Sequence, residues 1–314
     1  MKQKEVAVLL ATYQGEKYIS EQLESLKKQS FQDFVCYIHD DGSTDGTMSI
    51  VKQFVESDPE HFVVLDYPVC GGAKNNFMSM SERVKAPYIM FCDQDDYWLE
   101  NKIELSLKRM KETEIKSHGP VAVYTEMKIV DSNLNTICDS FAKYSGRDPQ
   151  KCSVKDLLMQ NIIPGCSIMI NHELQKLCNG LMNIDNIPMH DWWILVVAAA
   201  YGVISRIDEP LMLYRQHINN EVGAPSERKL GDHIKNFCNE FVTGKLIKKK
   251  KIWIDMPRKM ARELILLPNF PSEKYQEIVD FAYIEKESKI KRMRFYYKHQ
   301  FRTDKPQYWL LLWV

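Results

Sequence analysis

Residues 6–15 read VAVLLATYQG, five apolar residues in a row that run into a polar turn. An unbroken apolar run is what a strand covered on both faces requires. Directly after it, residues 18–28 have helical spacing, with Ile19, Leu23 and Leu26 on one face. The same unit recurs downstream. Residues 34–38 predict a second strand, ending in His39-Asp40-Asp41-Gly42-Ser43, and residues 47–55 a helix. Residues 61–65 predict a third strand and 77–84 another helix. A fourth strand over 88–92 ends in Asp93-Gln94-Asp95-Asp96. Such alternation predicts an α/β fold, a mostly parallel sheet flanked by helices with right-handed crossovers. In these sheets ligands bind beyond the carboxyl ends of the strands. The polar clusters of this chain sit at those ends.

Further on the pattern is less regular. Residues 121–130 predict a strand, and residues 162–170, which contain Pro164-Gly165, a strand with a bend. Residues 191–200 predict a helix with a carboxylate at its start. Residues 211–214 predict a short strand leading into Arg215-Gln216-His217, and from Ser226 onward the reading is helical and basic. The expected division is therefore a catalytic domain over 1–225 and a helical, basic C-terminal region over 226–314.

The composition bounds the function. With 314 residues, 45% of them apolar and 27% charged, the chain can bury a sizeable core, which excludes disordered and low-complexity classes. The net charge is zero but unevenly spread: residues 1–225 carry 22 basic and 31 acidic side chains, residues 226–314 carry 20 and 11. No pair of the eight cysteines has CxxC spacing, so a zinc cluster is not expected. The start of the chain does not read as a signal peptide. The longest apolar run, residues 192–204, is shorter than the roughly 20 residues a bilayer-spanning helix needs. A reducing, cytoplasmic setting is the expectation.

Two acidic clusters carry the chemistry. If strand geometry continues past residue 92, Asp93 and Asp95 point the same way, and two hard oxygen ligands suit Mg²⁺ or Mn²⁺. An acidic turn that caps the helix beginning near Leu99 explains the same residues without a metal. In Asp40-Asp41-Gly42-Ser43-Thr44-Asp45-Gly46, the glycines permit tight turns and the polar residues can cap the next helix. That leaves two adjacent acids at a strand end, where a carboxylate can accept a hydrogen bond from a base or ribose. Neither GxGxxG nor GxxxxGK[ST] occurs, which weakens dinucleotide and P-loop readings.

The blocks LLATYQGEKYISEQLESLKKQS, HDDGSTDGT and FCDQDDYW, in that order, resemble the family 2 glycosyltransferases with the GT-A fold. The resemblance continues through Met189-His190-Asp191-Trp192-Trp193 and Tyr214-Arg215-Gln216-His217. It is nearest the bacterial rhamnosyltransferase-like subgroup and covers roughly residues 4–220. It implies a GT-A-like sheet, a nucleoside-diphosphate sugar donor and inverting transfer to a cell-surface glycan. dTDP-rhamnose is the favoured donor and a UDP-hexose the alternative. Carried over residue by residue, it implies that Thr12, Tyr13 and Glu16 line the base and ribose pocket and that Asp41 faces the base. Asp93 and Asp95 match the DXD motif, with Asp95 the direct ligand of Mg²⁺ or Mn²⁺. Asp191 matches the general base. His217 falls where related enzymes place a metal or diphosphate contact, and Lys74 where a basic residue touches phosphate. Arg215 suits bidentate phosphate contact, with an internal salt bridge as the alternative. Of Trp192 and Trp193, core or wall roles compete with stacking on a sugar ring. A catalytically silent glycan-binding module and a metal-dependent phosphohydrolase are the competing functional classes.

The tail interleaves basic and aromatic residues: Lys245, Lys248–251 and Trp253, then Lys289, Lys291, Arg292 and Arg294 beside Phe295, Tyr296 and Tyr297. Ordinary packing on the catalytic domain and peripheral contact with an anionic membrane both fit, the latter favoured by lipid-linked acceptors. Nucleic acid is not an expected partner.

Overall fold

The computed structural model describes residues 3–217 and 245–301. The expected boundary at residue 225, the basic residues of 226–244 and the terminal aromatic run from Tyr308 lie outside the described residues.

The predicted alternation is present. Strands β1 (Val6–Thr12), β2 (Phe34–Asp40), β3 (Phe62–Val64) and β4 (Tyr88–Asp93) are separated by helices α1 (Ile19–Lys27), α2 (Thr47–Ser57) and α3 (Ala73–Arg83). After β5 (Tyr97–Trp98) come α4 (Lys102–Ser117), β6 (Val121–Val130), β7 (Thr136–Cys138), α5 (Phe141–Ser145) and α6 (Val154–Met159). Then follow β8 (Ile168–Asn171), α7 (His172–Cys178), α8 (His190–Tyr201) and β9 (Val203–Arg215). Three C-terminal helices complete the described chain: α9 (Lys245–Leu266), α10 (Gln276–Ala282) and α11 (Lys289–His299).

The nine described strands form one sheet in the order β3-β2-β1-β4-β8-β6-β9-β5, with β7 paired to β6. β1 is parallel to both β2 and β4, whereas β8 runs antiparallel between β4 and β6. The apolar run of β1 is explained by its two covered faces. Ala7 and Leu9 enter the core that holds α3, α8 and the C-terminal helices; Val6, Val8 and Leu10 enter the one that holds α1 and α4. α8 is apolar nearly all round, and residues 193–198 are buried, as a helix without a solvated face must be. Among the described residues no helix is long and apolar enough to cross a membrane.

Two local expectations differ from the structure. The bend at Pro164-Gly165 is a 3₁₀ turn, Gly165–Ser167, and only Ile168–Asn171 is strand. β9 begins at Val203 rather than 211, pairing in parallel with β6 through two register shifts. Its polar residues Arg206, Asp208 and Glu209 conceal it from a hydrophobicity reading, because long-range pairing rather than local pattern makes it a strand. The helix expected to begin with a carboxylate is present, with Asp191 in the first turn of α8 and Met189 at the cap position.

Candidate active site

Strand register brings the acidic loops together. Thr12 pairs with Asp40, and Ala11 with both His39 and Asp93, so β1, β2 and β4 end side by side. Gln94 ties two of the loops. Its Oε1 accepts from Thr12 Oγ1 (2.6 Å) and from the Tyr13 N–H (2.9 Å), and its Nε2 donates to Tyr13 O (2.8 Å). Gly15 makes this approach possible, since a Cβ there would lie 2.1 Å from Gln94 Oε1. Glu16 accepts from the Gly46 N–H at 2.9 Å, while the Tyr13 ring is exposed.

Asp41 sits in a cradle of backbone amides. Its carboxylate accepts from the N–H groups of Cys70 (2.5 Å), Gly71 (3.0 Å) and Gly72 (2.5 Å). Gly71 and Gly72 have φ of 79° and 107°, which glycine adopts without strain. Partial burial of Asp41 opposes ionisation, but the three amides outweigh it and hold the carboxyl below its usual range.

The acids after β4 do not continue as a strand. The chain turns at Gln94-Asp95, so the alternation expected for Asp93 and Asp95 is replaced by a tighter cluster. Ligand atoms of Asp93, Asp96 and Cys166 lie within 4.8 Å of one another. Asp95 Oδ2 is 2.7 Å from His217 Nε2, and the imidazole stacks on Tyr18 with centroids 4.8 Å apart. Burial, followed by the charges of Asp95 and Asp93, pushes Asp96 well above the usual carboxylate range. Lys102 is fully buried close by, its Nζ 2.5 Å from Cys166 O and 3.8 Å from the Trp98 ring centroid. Burial pushes this lysine down to about 8. The cluster holds two carboxylates, Asp93 and Asp96, whose hard oxygens suit a divalent cation, and the buried Cys166 sulfur, a soft donor that suits neither Mg²⁺ nor Mn²⁺; the expected ligand Asp95 is not among its atoms and pairs instead with His217.

Asp191 is buried at the start of α8. Its Oδ2 accepts from the Gly165 N–H (3.1 Å) and its Oδ1 from the Trp192 N–H (2.6 Å), and the Asn161 amide adds a further hydrogen bond. Cys166, next along the chain from Gly165, has its sulfur within 4.8 Å of carboxylate oxygens of Asp93 and Asp96, so the 3₁₀ turn Gly165–Ser167 contacts Asp191 through one residue and the acids after β4 through the next. A Cβ on Gly165 would lie 2.8 Å from His190 Nε2, so only glycine allows this amide its approach. Burial pushes Asp191 up to about 6, against the lowering effect of the Trp192, Asn161 and Gly165 hydrogen bonds. At this helix start desolvation exceeds the favourable dipole.

Other residues singled out in the sequence make contacts within the fold. Arg215 is fully buried and forms the internal salt bridge. Its Nε donates to Asp95 O (2.8 Å), its Nη1 to Ser132 O (2.5 Å) and its Nη2 to Glu21. Lys74 Nζ donates to the carbonyls of Ile184 (2.9 Å) and Ile187 (3.1 Å). Trp193 is core, and the Trp192 indole donates to Leu157 O. His39 stacks on Tyr67 and bonds Asn76, a structural role. Gln94, Lys102, Glu21 and Asn161 are additions that the sequence reading missed. Of these only Gln94, lying inside the DQDD block, carried a local signal. A cleft of about 810 Å³ between Arg109, Lys116, Tyr201 and Val203 lies at the amino ends of β6 and β9 and gathers none of the acids.

The sequence profile described as Glycosyl transferase family 2 matches residues 7–169. The chain is 32% identical over 225 residues to a dTDP-rhamnosyl transferase, RfbG, of Shigella flexneri, covering 68% of this chain and 74% of that protein. S. aureus TarS, solved in complex with UDP-GlcNAc, superposes with a TM-score of 0.57 at 17% identity over 98% of this chain and 79% of that one. The mannosyltransferase PcManGT of Pyrobaculum calidifontis, solved with GDP-Man and Mn²⁺, gives 0.52 at 14% identity over 99% and 79%. At those identities the structures establish the fold, a GT-A-like mixed sheet with flanking helices. The sequence match over the strand ends that carry the acids establishes more: the chain belongs to glycosyl transferase family 2 and is a glycosyltransferase.

Proposed function

We propose that this glycosyltransferase is metal-dependent and inverting, and that it moves a sugar, rhamnose in preference, from a nucleoside diphosphate to a cell-surface glycan. The observation that carries the reading is Asp191, a buried carboxylate pushed up to about 6 that accepts from Gly165, the residue before the Cys166 that lies against Asp93 and Asp96. Similarity to a dTDP-rhamnosyl transferase supports the donor. A UDP-hexose is the alternative.

Thr12, Tyr13, Glu16 and Asp41 form the base and ribose pocket. A carboxylate has about four lone-pair sites, so three amides leave Asp41 one for a base N–H. Asp93, Asp95 and His217 would hold Mg²⁺ or Mn²⁺. When bound, such an ion supplies Lewis-acid neutralisation of the leaving diphosphate. Mn²⁺ beside GDP-Man in the Pyrobaculum enzyme supports this choice. Asp191 takes the proton of the acceptor hydroxyl as that oxygen attacks the anomeric carbon. With its pKa near 6 it is ionised at neutral pH yet more basic than an ordinary aspartate, as a general base requires. Attack opposite the leaving group, in one displacement, inverts the anomeric centre.

The C-terminal region from residue 226 is read as a helical, basic appendage of the catalytic domain at the cytoplasmic face of the membrane. α11 supports peripheral contact with anionic lipid: Ile290 and Tyr297 are 64% and 74% exposed amid Lys289, Lys291, Arg294 and Lys298.

Asp191→Asn is expected to lower transfer by roughly 10²–10⁴-fold, the usual worth of a general base, with donor affinity nearly unchanged. Near wild-type turnover in that variant would remove Asp191 as the base. A thermal-shift panel of nucleotide sugars with and without Mn²⁺ identifies the donor, because a ligand of the native state raises the melting temperature. Stabilisation by UDP-hexoses but not dTDP-rhamnose would overturn the donor preference.

A further inference from the structure

Glu263 lies on α9, far in sequence from every acid discussed above, and is only 3% exposed. Its Oε2 accepts from the N–H groups of Met182 (3.0 Å) and Asn183 (3.2 Å), and its Oε1 from Asn186 Nδ2 (2.6 Å). The Lys74 ammonium grips the same short segment through its carbonyls, at Ile184 and Ile187. One side chain takes donors of the segment and the other takes acceptors. The segment itself is a single 3₁₀ turn, Ile184–Asn186, so its own backbone bonding is sparse. It enters the core at Ile187, which is fully buried, and Asp191 follows four residues later. α9 is in turn anchored by Met260, Ala261 and Leu264, buried in the same core as Trp193 and Val197 of α8.

We infer that Glu263 is a positioning residue: through the segment 182–187 the C-terminal region sets the aim of Asp191. The inference rests on the reading of Asp191 as the base. A buried carboxylate that satisfies three donors resists displacement, because moving the segment leaves polar groups unpaired. Glutamine cannot substitute, since it offers one acceptor oxygen and turns an NH₂ toward other donors. By the same geometry Lys74 acts on the base segment rather than on phosphate.

The test uses the full chain carrying Glu263→Gln, Lys74→Met or both. Each single variant is expected to lower kcat by about tenfold or more with donor KM within about threefold, because small misplacements of a reacting group are costly. Since both act through one segment, the double variant should lose little more than the worse single one. Hydrogen exchange should quicken over residues 180–193 in Glu263→Gln while the sheet keeps its protection. Wild-type kcat in Glu263→Gln, multiplicative losses in the double variant, a rise in donor KM alone or uniformly faster exchange would each overturn the inference. Failure of the base reading is distinguishable: Asp191→Asn would then keep its turnover, while the exchange pattern still reports whether Glu263 holds the segment.

Discussion

At the scale of the residue, burial raises the basicity of Asp191. An aspartate in water would be ionised but weakly basic; desolvation at the start of α8 moves it up to about 6. The pH dependence of kcat/KM should therefore have an acid limb, with activity falling about tenfold per pH unit below about 6. A profile flat down to pH 4.5 would exclude Asp191. The same shift affects stability. The folded state holds this proton more tightly than the unfolded chain, so its contribution is full below the ordinary value of 3.8 and is lost as pH rises through about 6. At neutral pH the buried charge costs up to about 3 kcal/mol. Asp191→Asn is thus expected to melt at a higher temperature than wild type at pH 7.5, with the gap closing toward pH 4. Calorimetry at the two pH values checks this; a lower melting temperature at pH 7.5 would show that the lost hydrogen bonds outweigh the relieved charge.

At the scale of the element, Arg215 joins parts that the chain keeps far apart. It ends β9, yet its guanidinium reaches Glu21 on α1, Ser132 beyond β6 and Asp95 after β4, and its backbone N–H donates to Asp96. It also lies over the Tyr18 ring, 4.5 Å from the centroid. Such a hub should matter first for stability. Arg215→Met is expected to destabilise the fold by about 3 kcal/mol, because the buried acceptors lose their donor. Chemical denaturation measures this. Unchanged stability with a raised donor KM would return the guanidinium to the phosphates. Gln94 plays a similar part on a smaller scale, fixing the loop after β1 to the turn after β4.

At the scale of the whole molecule, the sheet collects charge at one pole. Asp93, Asp95 and Asp96 follow β4, and Asp41 follows β2, two strands away across β1 at the same end of the sheet. Transfer should consequently vanish in excess chelator and return with Mn²⁺ or Mg²⁺, as a radiolabelled-sugar assay would register; full activity in chelator would remove the ion. The described C-terminal helices lie at the opposite end of the chain, but their core residues merge with the core under α3 and α8.

The sequence by itself determined the alternating core of the fold and most of the acids at its strand ends. Both depend on local order: periodicity reports burial, and a polar cluster after an apolar run marks a strand end. Thr12, Asp41, Asp93 and Asp95 were legible for that reason, and Asp191 by its place in a motif. Only the tertiary structure decided that Arg215 is an internal tie, that Lys74 serves a distant segment, and that β9 starts eight residues before its expected position. It also set the Gly165 amide on Asp191 and Glu263 on the segment that precedes α8. These outcomes depend on pairing and burial between residues about 30 to 190 positions apart, and no local pattern encodes which distant partner will satisfy a buried charge.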